Sequence, residues 1–339
     1  MAARIVHDEQ PLAVLIVGSV AREISVGDSD VDLAVFLSSY EGPQWQRIQH
    51  GGVDVDIERY SGPHFLQNSA GLLLGPKELR EAGRFSHAKL VHLQWSSFPL
   101  LQRRWANSVA HPDYAAELFA NAAHAVVYCN SPDLDSHDRY WSIQGSVAAL
   151  VTIALDLTSV RFQKPKWVVT DAEKHLQLRF PLLLETFQSI FHLKRADRAN
   201  VHALIVICED AMNRGAGMSA IAREEDPLND IRCRILWKTI KEAKVLADAG
   251  NYGAAMYTAF TAGRLMYTIL RPDIRPADCA GPTWRELQTW RKDYLKELPS
   301  NFIETVNLDA RVRELATHVS YLDRQYSAAL QIARQLSAA

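Results

Sequence analysis

AVLIVGSVAREISVGDSDVDLAVF, residues 13–36, is the stretch from which the rest of the chain can be read. An apolar run closes at Gly18-Ser19, and Asp30 and Asp32 then bracket Val31 at the head of a second apolar run, Leu33 to Leu37. Side chains alternate along a strand, so Asp30 and Asp32 share a face. Two like charges side by side repel and serve no packing purpose unless cations lie between them. Carboxylate oxygens are hard ligands, and Mg²⁺ is usually held by one or two of them together with substrate phosphates. The segment therefore reads as a magnesium site.

A second acidic run, GVDVDIE at 52–58, tests that reading. Val53, Val55 and Ile57 alternate with Asp54, Asp56 and Glu58, the pattern of a strand with one apolar and one acidic face. Laid beside the first strand, it brings a third carboxylate to the same cations. Two metals about 3.5–4 Å apart stabilise both the attacking and the leaving oxygen of an in-line displacement at phosphorus. Gly18 lets the backbone approach a triphosphate closely, and the Ser19 hydroxyl and nearby N–H groups can bond its oxygens. Asp54, Asp56 and Glu58 share one face, so alternation alone leaves the third acid open among them.

Gly18-Ser19, Asp30-x-Asp32 and an acid on a later strand together resemble the nucleotidyltransferase superfamily of the DNA polymerase β type, over roughly the first hundred residues. The nearest likeness is to the kanamycin- and streptomycin-type antibiotic nucleotidyltransferases, which carry a helical domain after the catalytic one. The resemblance implies transfer of a nucleoside monophosphate, AMP from ATP being the commonest case, to a small-molecule acceptor with release of pyrophosphate. It gives two Mg²⁺ ions to Asp30, Asp32 and Asp56, and makes Asp56 the base; Asp56 rather than Asp54 fits because the third acid comes shortly before the strand's turn, here Ser61-Gly62-Pro63. Gly18, Ser19, Arg22 and Ser29 fall to the nucleotide. Lys166 in FQKPKW, following a long helix, resembles a lysine that crosses from the second domain to the phosphates, with Lys164 secondary. That likeness places the nucleotide in a cleft between residues 1–105 and the helices after 112. Glu117 stands where some relatives keep an acceptor-side glutamate, although most helix glutamates have no such role. One departure from the pattern is Glu23, where many relatives have glycine after Ala-Arg; it removes a flexible position and adds a negative charge near the phosphates.

A rival reading is a regulatory or toxin–antitoxin module that modifies or binds a protein partner, with the C-terminal helices forming a homodimer. Arg313 and His318 have the R-x4-H spacing of HEPN ribonuclease domains, but a solvated helix face offers that spacing by chance. Composition favours the small-molecule reading: a net charge of −2 on 339 residues gives no general attraction to a polyanion. With 48% hydrophobic and 22% charged residues the chain is ordinary for a folded soluble protein. Cys129, Cys208, Cys233 and Cys279 are scattered, without a C-x-x-C pair, and read as buried thiols. No basic segment with an apolar signal core opens the chain and no uninterrupted apolar run suggests a membrane span, so a cytoplasmic location is expected.

The fold class expected is α+β: a mixed-sheet nucleotidyltransferase domain at 1–108, a helical domain at 109–222, and a C-terminal helical region at 223–339. The first dozen residues are short for the helix that often precedes the Gly-Ser strand in relatives. Pro63 opens a helix near His64, Lys77 to Ala82 is a short helix, residues 88–95 a strand, and Ser96 to Pro99 its end. Helices are expected at 114–128, 140–158, 181–191, 198–213, 230–249 and 252–270. Gly215, Gly217 and the polar run 223–230 mark the best internal boundary. Leu308, Val312, Leu315, Val319 and Leu322 form an amphipathic stripe that another helix or subunit must cover.

Overall fold

A computed structural model describes residues 1–23, 30–69, 71–131, 136–160, 164–222, 227–269 and 306–338. The architecture is α+β, a mixed five-stranded sheet near the N-terminus followed by helices. Two compact units emerge: Met1–Glu117 with Leu155–Gln163 and Asp323–Ala339, and Leu118–Ala154 with Lys164–Leu322. Gly215 and Gly217 lie within one helix, Arg198–Ala222, which ends at the expected 222/223 division, and residues 223–226 of the polar run lie outside the described residues.

In the first unit the sheet order is β3-β4-β2-β1-β6, with β1 Ala13–Val17, β2 Val31–Leu37, β3 Trp45–His50, β4 Val53–Ser61 and β6 Lys89–Leu93. Only β2 and β4 run parallel; β1 with β2, β1 with β6 and β3 with β4 are antiparallel. AVLIV and VDLAVFL are nearly unbroken apolar runs because strands interior to a sheet are covered on both faces. On one face Leu33, Val35 and Leu37 meet Val14, Val55, Ile57 and Ile5. Ile5 belongs to α1, Ala2–Glu9, so the first dozen residues do hold a helix. Phe36 and Tyr60, on the opposite face, join Phe65, Phe85 and Phe98 in an aromatic cluster whose ring centroids lie 5.0–5.8 Å apart around Phe36. A two-stranded parallel ribbon, β5 Leu73–Leu74 with β7 Val109–Ala110, lies in the same unit, and the Tyr326 hydroxyl donates to Ala110 O at 2.7 Å.

Three elements escape the periodicity reading, each for a physical reason. β3, WQRIQH, is an edge strand with only Ile48 partly covered, so no apolar alternation marks it. Its hairpin signal was Gly51-Gly52, both at positive φ (61° and 80°), the glycine pair that a two-residue turn demands. The helix Ser97–Ala106 carries Pro99 in its first turn, where proline is tolerated, so that proline does not end the segment. Lys166, outside the helices expected from periodicity, lies in the first turn of a helix, Pro165–Leu176, with Pro165 at its first position.

The second unit is helical, with Tyr140, Phe187, Phe191, Tyr257 and Phe260 in mutual ring contact at its core. The C-terminal stripe is covered by the chain itself: Val312, Leu315 and Leu322 are buried. Among the described residues one stretch, Asp138–Leu157, is long and apolar enough to cross a membrane, and 78% of it is buried within the protein, the environment of a core helix.

Candidate metal and nucleotide site

The register of the parallel pair β2–β4 sets Asp32 directly beside Asp56, and Asp30 precedes Asp32 on the same side. One carboxylate oxygen from each of Asp30, Asp32 and Asp56 lies within 4.8 Å of the others. Asp56 is the most enclosed, its side chain 12% exposed against 42% for Asp30. The other two acids of the β4 face are placed differently. Asp54 is exposed and precedes the first paired position, Val31 with Val55. Glu58 accepts from both the Tyr60 hydroxyl and Arg84 Nη1, which gives its charge a partner inside the unit. Burial pushes the Tyr60 phenol well above its ordinary range, so it remains a donor to Glu58.

Gly18 is the backbone wall of this cluster. Its φ is +73°, and a Cβ there would stand 2.2 Å from Asp32 Oδ2, so a larger residue would strain the turn and displace the carboxylate. Ser19 follows, buried, at the start of a short helical turn, Gly18–Ala21. Arg22 caps that turn, its N–H reaching Gly18 O at 3.3 Å. Glu23 adopts φ 60°, the left-handed region that favours glycine, and its carboxylate pairs with Lys89 Nζ at 2.8 Å. That hydrogen bond holds the Glu23 carboxyl below its ordinary pKa, and the added charge therefore has a cation of its own. Ser29 lies outside the described residues.

Arg47, on the overlooked strand β3, is the residue sequence reasoning missed. It stands opposite Asp56 in the β3–β4 register. Its Nε meets Asp56 Oδ1 at 2.6 Å, and its Nη2 meets Asp56 Oδ2 at 2.7 Å and Asp30 Oδ2 at 3.3 Å. The hydrogen bond to Asp56 raises the guanidinium pKa further above its ordinary value. The signal was available: a two-residue Gly51-Gly52 turn pairs His50 with Val53 and hence Arg47 with Asp56.

An all-oxygen set of three carboxylates beside a glycine wall suits a hard divalent ion such as Mg²⁺. Lys166 Nζ lies 3.8 Å from Glu242 Oε1 and 5.9 Å from the Trp167 ring centroid, while Lys164 Nζ lies 5.3 Å from that centroid. Glu117 is exposed on the helix Pro112–Tyr128.

Arg313 is exposed, but His318 is 7% exposed and its Nε2 lies 3.0 Å from Thr186 Oγ1, so His318 is not on a solvated helix face. Thr186 Oγ1 also lies 3.0 Å from Glu314 Oε2. Neither a family model nor a curated protein sequence matches this chain.

Proposed function

We propose that the chain is a metal-dependent nucleotidyltransferase that moves a nucleoside monophosphate, AMP from ATP by default, onto a hydroxyl of a small acceptor. The observation that carries this reading is the convergence of the Asp30, Asp32 and Asp56 oxygens within 4.8 Å, walled by a glycine whose Cβ would collide with Asp32. Asp30, Asp32 and Asp56 would hold the metal. Mg²⁺, when bound, neutralises phosphate oxygens and so favours in-line displacement at phosphorus. Gly18 and Ser19 offer backbone N–H groups and a hydroxyl to the β,γ-phosphates. Asp56 takes the proton of the acceptor hydroxyl as the new O–P bond forms, and the α-phosphorus bond to pyrophosphate breaks. Most of the rate enhancement then comes from alignment and charge neutralisation rather than covalent help.

The test is incubation of the full chain with α-labelled ATP, Mg²⁺ and a panel of hydroxylic small molecules. The expected result is label on a small molecule, pyrophosphate release, and loss of both in Asp32→Asn. Removing a metal ligand is expected to lower the rate by more than the roughly 10²–10⁴-fold that a missing base costs. Near-normal turnover by Asp32→Asn at saturating Mg²⁺ sinks the reading. Label on a polypeptide redirects it to a protein-modifying enzyme.

A further inference from the structure

Arg47 occupies the acids from the solvent side, and that has a consequence for how the proposed site loads. Both oxygens of Asp56 accept from its guanidinium, at 2.6 and 2.7 Å, and Asp30 is engaged at 3.3 Å. A guanidinium and a divalent cation carry the same sign and compete for the same lone pairs, so a metal reaches Asp56 only as Arg47 withdraws. Withdrawal is open to it. The side chain is 48% exposed on an edge strand, and its Cζ already lies 5.7 Å from the ring centroid of Trp45, itself 52% exposed. A long cationic side chain next to an exposed indole has a second resting place in cation–π contact. Metal together with a polyphosphate brings both a cation for the acids that Arg47 leaves and an anion for the arginine.

We infer that Arg47 is a displaceable counter-ion that makes metal binding depend on nucleotide: it blocks Asp56 to metal alone, and the phosphates take over its guanidinium when metal and nucleotide arrive together. The inference rests on the nucleotidyltransferase reading and adds a coupling between the two ligands that the acids by themselves do not provide. Arg47 would thereby suppress idle metal occupancy and contribute to phosphate binding with one group.

The experiment measures Mn²⁺ binding to the full chain by calorimetry, with and without a non-hydrolysable ATP analogue, in wild type, Arg47→Gln, Arg47→Lys and Asp32→Asn. Thermal melting verifies that each variant is folded. With the competing bonds removed, Arg47→Gln is expected to bind Mn²⁺ alone about tenfold more tightly or better, and the gain in Mn²⁺ affinity on adding the analogue should shrink by a similar factor. Arg47→Lys, which keeps the charge without the bidentate fork, should fall between and supports the same conclusion if the glutamine variant fails to fold. Equal Mn²⁺ affinity and equal coupling in wild type and the Arg47 variants overturn the inference while leaving the metal site standing. Absence of Mn²⁺ binding in all the proteins, or binding unchanged in Asp32→Asn, overturns the metal reading and the inference with it.

Discussion

In the sheet unit, Asp30, Asp32 and Asp56 converge, Arg47 pairs with Asp30 and Asp56, and Asp30 and Arg47 are nearly half exposed. In the helical unit, Glu314 and His318 meet the Thr186 hydroxyl, with Thr186 2% and His318 7% exposed and Arg311 paired to Glu314. Both sets hold carboxylate, a cation and hydrogen-bonding groups within a few ångströms. They differ in balance. The helical cluster is built round a buried hydroxyl: Thr186 Oγ1 can accept from His318 Nε2–H while donating to Glu314 or to Leu182 O. The sheet cluster instead brings three like charges to one place, with Asp30 and Arg47 open to solvent. Groups joined through a buried hydroxyl hold structure together, while like charges converging beside solvent are a place for a ligand.

The sharpest way to break the sheet cluster without touching an acid is Gly18→Ala. The added Cβ needs the space 2.2 Å from Asp32 Oδ2, and the φ of +73° costs a non-glycine residue about 1–2 kcal/mol. Asp32 must swing aside, and a displacement on the order of 1 Å costs about 10²-fold in rate. Turnover should fall by that factor or more while the melting temperature drops modestly. An unchanged rate would show that the Gly18–Asp32 contact does not position the acid.

The complementary change is Thr186→Val, which keeps the shape and removes the hydroxyl shared by Glu314 and His318. Leaving buried partners unmatched costs about 1–3 kcal/mol. Urea unfolding should register that loss and nucleotide transfer should not. If Thr186→Val instead abolishes transfer at full stability, the helical cluster is not merely structural and the contrast between the two regions fails.

How far this contrast could be read from sequence depends on how local its causes are. Asp30 and Asp32 are two residues apart on one strand, and the alternation of residues 52–58 supplies the third acid, so the sheet cluster is nearly written in the period of a strand. Choosing Asp56 over Asp54 requires knowing that β2 starts at Val31, which fixes the parallel register. Arg47 lies on a strand without apolar alternation and becomes visible only through the Gly51-Gly52 turn. Thr186 and His318 are 132 residues apart and meet through helix packing, which no local pattern encodes. The stripe from Leu308 to Leu322 shows which side of the last helix is buried, yet His318 adjoins that side, so the inference that His318 faces solvent followed the spacing of the arginine rather than that of the leucines.

The smallest expected effect concerns pH and separates the two clusters by their protons. Burial lowers the pKa of His318 below its ordinary 6.5; Glu314 opposes the shift and Arg311 adds to it. Because the folded form resists protonation, the unfolded chain binds more protons as pH falls below about 6.5, and stability declines in that direction until the folded pKa is passed. The contribution is therefore fully present above neutrality and lost on the acid side. His318→Gln keeps an N–H donor for Thr186 but does not titrate, so its urea midpoint should vary less between pH 7.5 and pH 5 than that of wild type, with the two curves nearly parallel above pH 7. Substitutions at Asp32 should leave the same slope untouched, since that cluster lies outside the helical unit. Identical slopes for wild type and His318→Gln would mean that His318 takes up its proton in the folded protein without cost, and the structural role given to its burial would have to be abandoned.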